Sequence, residues 1–219
     1  MNNFKIIANW KMNGSKEEVK SWINFFKDNV EHKNHSDCFF CPPACYLNNA
    51  NEIISSYNLK LNLGSQDLDP DSDNPSTGGI NGKMLKDLGC DYVLIGHSER
   101  RSLFSEDEEV LLKKLTSAVK HELKVIYCVG ETKEQKERGL ATEAIKIQLK
   151  ILKGLPVDLI SVAYEPVWSI GQGITPSLDS IHEMHQTIKD ELKSILNTEE
   201  NIAISYGGSV SADNAVSIS

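Results

Sequence analysis

Four stretches of this 219-residue chain place reactive side chains where an apolar run ends. In SVAYEPVWSIGQG, the run Leu159–Tyr164 delivers one carboxylate, Glu165, to its tip, and Pro166 forbids any further ladder hydrogen bond. The segment that follows starts stiff and bulky at Pro166-Val167-Trp168 and ends on Gly171 and Gly173, so it can swing as a unit between hinges. A carboxylate beside a lid that excludes water suits abstraction of a proton from carbon, because a desolvated Glu is a stronger base. The competing reading is a strand that ends in an ordinary charged surface turn.

The second stretch is Ile95-Gly96-His97-Ser98-Glu99-Arg100-Arg101. Gly96 permits close approach of a ligand, and a helix beginning beyond His97 disfavours a proton on its imidazole. A neutral imidazole can donate to a carbonyl oxygen; equally, His97 can be a turn residue beside a local Glu99–Arg100 ion pair. Asn9-Trp10-Lys11-Met12-Asn13-Gly14 ends the first apolar run in an amide and an ammonium, which can hold an anion or simply face water. In Tyr206-Gly207-Gly208-Ser209-Val210, glycines before a serine free backbone N–H groups for a phosphate, a pattern shared with plain turns. His32, His35, Cys38 and Cys41 recur every third residue, but the two cysteines would face opposite sides of a strand, so no metal is expected. His182 and His185 share a helix face without a third ligand and are expected to face solvent. P-loop, GxGxxG and GxSxG patterns are absent.

The elements that would position these residues alternate. Apolar runs at Lys5–Asn9, Asp37–Cys41, Leu59–Gly64, Tyr92–Gly96, Lys124–Val129, Leu159–Tyr164 and Ile202–Tyr206 read as strands. Between them lie helical periods such as Leu178, Ile181, Met184, Ile188, Leu192 and Ile195. Ser15 with Glu18, Ser105 with Glu108 and Thr132 with Gln135 read as capping boxes, and Thr175-Pro176 as a cap with proline at the first helical position. Strands apolar nearly throughout suit a parallel sheet covered on both faces, and seven such βα units favour a barrel over an open sheet. The length fits one domain, 1–219. Acidic residues outnumber basic ones by 31 to 23 without a basic cluster, which argues against nucleic acid. Neither a signal peptide nor a membrane span is read, and five cysteines without a secretion signal point to reduced thiols, so a soluble cytoplasmic protein is expected.

NWKMNG at Asn9, IGHSERR at Ile95, CVGE at Cys128, AYEPVWSIG at Ala163 and YGGSV at Tyr206 occur in one order, and together they closely resemble the triosephosphate isomerase family over nearly the whole chain. The resemblance implies an α/β TIM (β/α)8-type barrel and an aldose–ketose isomerase of glycolysis and gluconeogenesis. It would interconvert dihydroxyacetone phosphate and glyceraldehyde 3-phosphate through an enediolate, without metal or organic cofactor. It implies Glu165 as base, His97 as neutral electrophile, Lys11 as electrostatic stabiliser, and Asn9, Lys11, Gly171 and Ser209 as substrate contacts. A neutral histidine and a closing lid are known properties of the family that these motifs imply for this chain. It further implies a homodimer through the Thr77 loop.

The chain departs from the family pattern in places. Gly79 stands where the family has a glutamate, so Arg100 loses its usual carboxylate and the Thr77 loop is less securely anchored. Ser169 and Gln172 replace an alanine and a threonine in the lid, and Pro176 after Ile174-Thr175 would stiffen its far hinge. The chain stops at Ser219, before the eighth strand and helix, which leads us to expect a C-terminally incomplete barrel with open strand edges and impaired activity and stability. Another phosphosugar isomerase, or a non-catalytic barrel fragment that binds phosphorylated ligands or self-associates, is the alternative.

Overall fold

This computed structural model describes residues 5–72, 75–170 and 175–218, and the chain forms two compact units, Met1–Leu94 with Thr116–Lys124 and Ile95–Leu115 with Val125–Ser219. Along the chain run β1 (Ile6–Asn9), α1 (Lys16–Asn29), β2 (Cys38–Cys41), α2 (Leu47–Ser56), β3 (Asn62–Ser65), α3 (Gly82–Asp87), β4 (Tyr92–Ile95), α4 (Ser98–Leu103), α5 (Glu108–Lys120), β5 (Lys124–Val129), α6 (Lys133–Glu137), α7 (Ala141–Leu149), β6 (Ile160–Tyr164), α8 (Leu178–Leu196), β7 (Ile204–Tyr206) and α9 (Ala215–Ile218). In the first unit β1 to β4 pair in chain order, all parallel, and in the second β5, β6 and β7 do the same. Parallel neighbours require a crossover, and each connection carries helix. Among the described residues no helix is long and apolar enough to cross a membrane.

Burial follows the sequence pattern in the middle strands. β2 and β4 are buried throughout and β5 from its second residue on, whereas β1 and β7 are only part-buried and Ile6 is exposed. The reading of every strand as covered on both faces therefore fails for those two. In the first unit Val19, Ile23 and Phe26 form the inward stripe of α1, and Trp22 stacks on Phe40 of β2 with ring centroids 4.4 Å apart. Burying each such side chain contributes about 1.5–3 kcal/mol, more than the exposed ion pairs on the helix surfaces. In the second unit α8 buries Ile181, Ile188 and Leu192, while Leu178 at its start stays exposed.

Helix starts agree in part. Ser15 accepts the Glu18 N–H at 3.2 Å, and Thr132 with Gln135 completes both halves of a capping box. At α5 the cap is Asp107, which accepts the Val110 N–H at 2.9 Å; Ser105 instead occupies a left-handed turn with φ +55°. At α8 the cap is Ser177, because the Thr175 hydroxyl is turned to the Ser209 carbonyl.

One of the two α8 histidines is also corrected. His182 is exposed, but His185 is half-buried with its ring edge-on to Tyr164, centroids 6.0 Å apart. Burial first, and the neighbouring His182 second, lower its pKa to about 4. Between the ordinary 6.5 and that value the unfolded chain binds more protons than the folded one, so this histidine subtracts stability as pH falls through that window. Melting curves of the wild type are expected to lose stability more steeply from pH 6.5 to 4 than those of His185→Phe; parallel pH profiles would contradict the assignment.

Candidate active site

In the second unit, Glu165 leaves the end of β6 and is only 6% exposed. Its N–H continues the ladder to the Val129 carbonyl at 2.7 Å, and the Gly207 N–H reaches the Tyr164 carbonyl at 2.7 Å. The strands on either side present glycine at that level. A Cβ on Gly130 would collide with the Glu165 carbonyl, and one on Gly207 would meet Glu165 Cγ at 2.8 Å. The carboxylate thus emerges between two bare stretches of backbone. Glu165 Oε2 accepts the Ser98 N–H at 3.3 Å, and Oε1 stands 3.5 Å from His97 Nε2.

His97 is the N-cap residue of α4, buried to 7% exposure, and its Nδ1 accepts the Glu99 N–H at 3.2 Å. With Nδ1 accepting, a single ring proton belongs on Nε2, the atom that faces Glu165. α4 is in turn fixed by Glu106, which pairs with Arg100 at 2.6 Å and with the buried Lys114 at 2.7 Å. Arg100 therefore has a carboxylate in this chain although Gly79 supplies none.

The segment that follows Glu165 is held down at its start. Val167–Ser169 form a single 3-10 turn, with the Ser169 hydroxyl donating to the Pro166 carbonyl at 2.9 Å. Glu131 lies beneath it, 2% exposed, with Oε1 accepting from Trp168 Nε1 at 2.6 Å and from the Tyr164 hydroxyl at 3.2 Å. Burial, followed by this carboxylate, raises the Tyr164 pKa. The Ser209 hydroxyl donates to the Ser169 carbonyl at 2.9 Å, which ties the end of β7 to the lid start. Gly171, Gln172, Gly173 and Ile174 lie outside the described residues.

The first unit carries Asn9 and Lys11. Lys11 has φ +52°, a region that side chains enter only when neighbours fix it. Asn9 Oδ1 accepts the Lys11 N–H at 2.9 Å, while Gln66 Nε2 donates to the Lys11 carbonyl at 2.8 Å and the Cys41 carbonyl at 2.9 Å. Trp10 packs so closely under Gly14, at φ +113°, that a Cβ there would come within 2.8 Å of the ring. Thr77 is exposed, and its loop is closed by Asp69, whose carboxylate accepts the Ile80 N–H at 2.8 Å.

His35 and Cys38 satisfy backbone carbonyls, Val30 at 2.9 Å and Asn34 at 3.6 Å, and no metal-binding group of three or more His, Cys, Asp or Glu occurs among the described residues. The structure brings together His97 and Glu165 in one unit, with Ser209 against the lid turn, and Asn9 with Lys11 in the other. The reading of motifs did not single out Glu131, Gln66 or Gly130 for a role. The only sequence signal for two of them was CVGE, which contains Gly130 and Glu131.

The triosephosphate isomerase family profile matches residues 4–219. The chain belongs to the triosephosphate isomerase family. Relatives named triosephosphate isomerase include those of Aquifex aeolicus (strain VF5), 37% identical over 96% of this chain and 86% of the relative, and Francisella tularensis subsp. novicida (strain U112), 38% identical over 97% and 85%. That of Alkaliphilus oremlandii (strain OhILAs) is 39% identical over 97% of this chain and 87% of its own length. The fold class is accordingly the α/β TIM barrel, and the chain is an isomerase of this family.

The tight fit at Gly207 gives a direct check. Gly207→Ala is expected to push the Glu165 side chain off its position and lower kcat by up to about 10²-fold, the order expected for a 1 Å misplacement. A variant with wild-type kcat would show that the carboxylate is not confined there.

Proposed function

We propose that this chain interconverts dihydroxyacetone phosphate and glyceraldehyde 3-phosphate through an enediolate. Glu165 takes the proton from carbon 1 of the ketose, while the His97 Nε2–H donates to the carbonyl oxygen on carbon 2 and stabilises the charge that develops there. His97 Nε2 gives its proton to the oxygen on carbon 2 and takes one from the oxygen on carbon 1, and Glu165 returns its proton to carbon 2 to give the aldose, so one carboxylate and one imidazole suffice for both directions. Lys11 is assigned to the enediolate and phosphate charge, Asn9 to the substrate oxygens, and Gly171 and Ser209 to the phosphate. These assignments are supported by the match of NWKMNG, the lid motif and YGGSV to the family.

The observation that carries the reading is the buried carboxylate 3.5 Å from an imidazole edge whose other nitrogen is already an acceptor. The separation is longer than a good hydrogen bond. The lid start adds a second support: Trp168 is anchored on Glu131 next to the base, where closure would exclude water and keep the enediolate from losing its phosphate.

The same reading includes a cytoplasmic homodimer. The five cysteines stand as thiols rather than disulfides, as suits a reducing compartment. Ser76, Thr77 and Gly78 stand exposed on a closed loop, a surface that a second copy can receive.

A coupled assay of glyceraldehyde 3-phosphate conversion, run beside Glu165→Gln, tests the assignment. The substitution is expected to keep the folded spectrum and lower kcat by about 10²–10⁴-fold. Equal turnover in the two proteins would remove Glu165 from the role of base.

A further inference from the structure

We propose that Arg101 is a positioning residue for proton transfer, acting with Tyr127 and Gln148 to fix the two peptide segments that set His97 against Glu165. The proposal rests on the acid–base roles given above to those two residues. Arg101 follows His97 by four positions, yet its side chain turns back on the strand ends. Nε donates to the Gly96 carbonyl at 2.8 Å, and the terminal nitrogen NH2 donates to the Tyr127 hydroxyl at 2.9 Å and to the Cys128 carbonyl at 3.3 Å. The opposite nitrogen, NH1, pairs with Glu108 at 3.2 Å, which orients the fork. Gly96 is the residue before the electrophile, with φ +76°, and an added Cβ there would lie 3.1 Å from the Arg101 terminal nitrogen and 3.2 Å from the Cys128 carbonyl oxygen.

The same network continues to the base. The Tyr127 hydroxyl accepts from Arg101 and donates to the Gln148 carbonyl at 3.0 Å, and the Gln148 side-chain amide grips both sides of Gly130: Nε2 donates to its carbonyl and Oε1 accepts its N–H, each at 2.9 Å. Gly130 is the bare backbone against which Glu165 lies, and the preceding Val129 carbonyl holds the Glu165 N–H. One side of the network thus holds the peptide entering His97, the other the surface under Glu165. Tyr127 is fully buried and burial, against the Arg101 charge, raises its pKa to about 12, so its hydroxyl keeps its proton and serves as a fixed relay of geometry. Only a planar fork reaches the Gly96 carbonyl, the hydroxyl and the Cys128 carbonyl at once; a lysine ammonium in this place can satisfy one or two of them.

The test measures kcat, KM and the pH profile of kcat for wild type, Arg101→Lys, Arg101→Met, Gln148→Met and Glu165→Gln, with circular dichroism on each. Loosening the pair is expected to lower kcat about 10–100-fold in Arg101→Met and less in Arg101→Lys, with KM within about twofold and the native spectrum retained. Gln148→Met, which keeps the volume and loses both bonds to Gly130, is expected to fall in the same direction. A role confined to stability would lower the melting temperature and leave kcat and its pH profile of the folded protein unchanged, which overturns the proposal. If Arg101→Met does not fold, wild-type kcat in folded Arg101→Lys and Gln148→Met together overturns it. Turnover unaffected by Glu165→Gln overturns instead the assignment of the base, and the proposal with it.

Discussion

A buried carboxylate must leave the end of β6 between two neighbouring backbones, and that requirement shapes the second unit. Glu165 keeps its place because its N–H is locked to Val129 and because Gly130 and Gly207 offer no side chain where it passes. A buried charge without positioned partners would cost several kcal/mol, so the elements around it supply them: the first N–H of α4 to Oε2, and the Nε2 edge of His97 facing Oε1. The histidine is oriented from its far side by the Glu99 N–H. The carboxylate and the imidazole proposed as base and donor are therefore set by backbone, which does not change rotamer.

Around this pair the second unit repeats one device, a buried or half-buried polar side chain that ties strand ends, helices and loops together. Glu131 holds Trp168 and Tyr164, Arg101 holds Gly96 and Cys128, Gln148 holds Gly130, and Glu106 joins Arg100 to Lys114. Broken singly, such bonds leave an unsatisfied buried group, which costs more than the bond's net contribution. In the first unit the strained Lys11 backbone is handled the same way, by Asn9 on one side and Gln66 on the other. The apolar core beneath is conventional, and it gives these ties a rigid base.

The strands and longer helices were legible because their signals are local. Apolar runs ended within a few residues of the observed strands, and α8 showed its stripe, although Leu178 at its start proved exposed. Motifs located Glu165, His97, Lys11, Asn9 and Ser209 at strand ends. Caps were misread where two candidates competed: Asp107 won over Ser105, whose backbone is left-handed, and Ser177 over Thr175, whose hydroxyl is used by Ser209. The lack of a third ligand near His182 and His185 points to solvent, but Tyr164, which approaches His185 from another element, leaves no trace in that local pattern. The ties from Arg101 to Tyr127 and from Gln148 to Gly130 span 26 and 18 positions and leave no periodic trace. Nor could Glu106 be named as the partner of Arg100, since both are common charges near a helix start. Gly171, assigned to the phosphate, lies outside the described residues.

The most direct measurement is conversion of glyceraldehyde 3-phosphate in deuterium oxide, with the ketose trapped as it forms and read by proton NMR. If a carboxylate carries the proton between carbons, it exchanges with solvent during part of the turnovers, and deuterium is expected on carbon 1 of the product above the uncatalysed background. A ketose formed at the enzymatic rate with all its carbon-bound hydrogen retained would mean direct transfer between carbons, and would contradict the role of Glu165 as base.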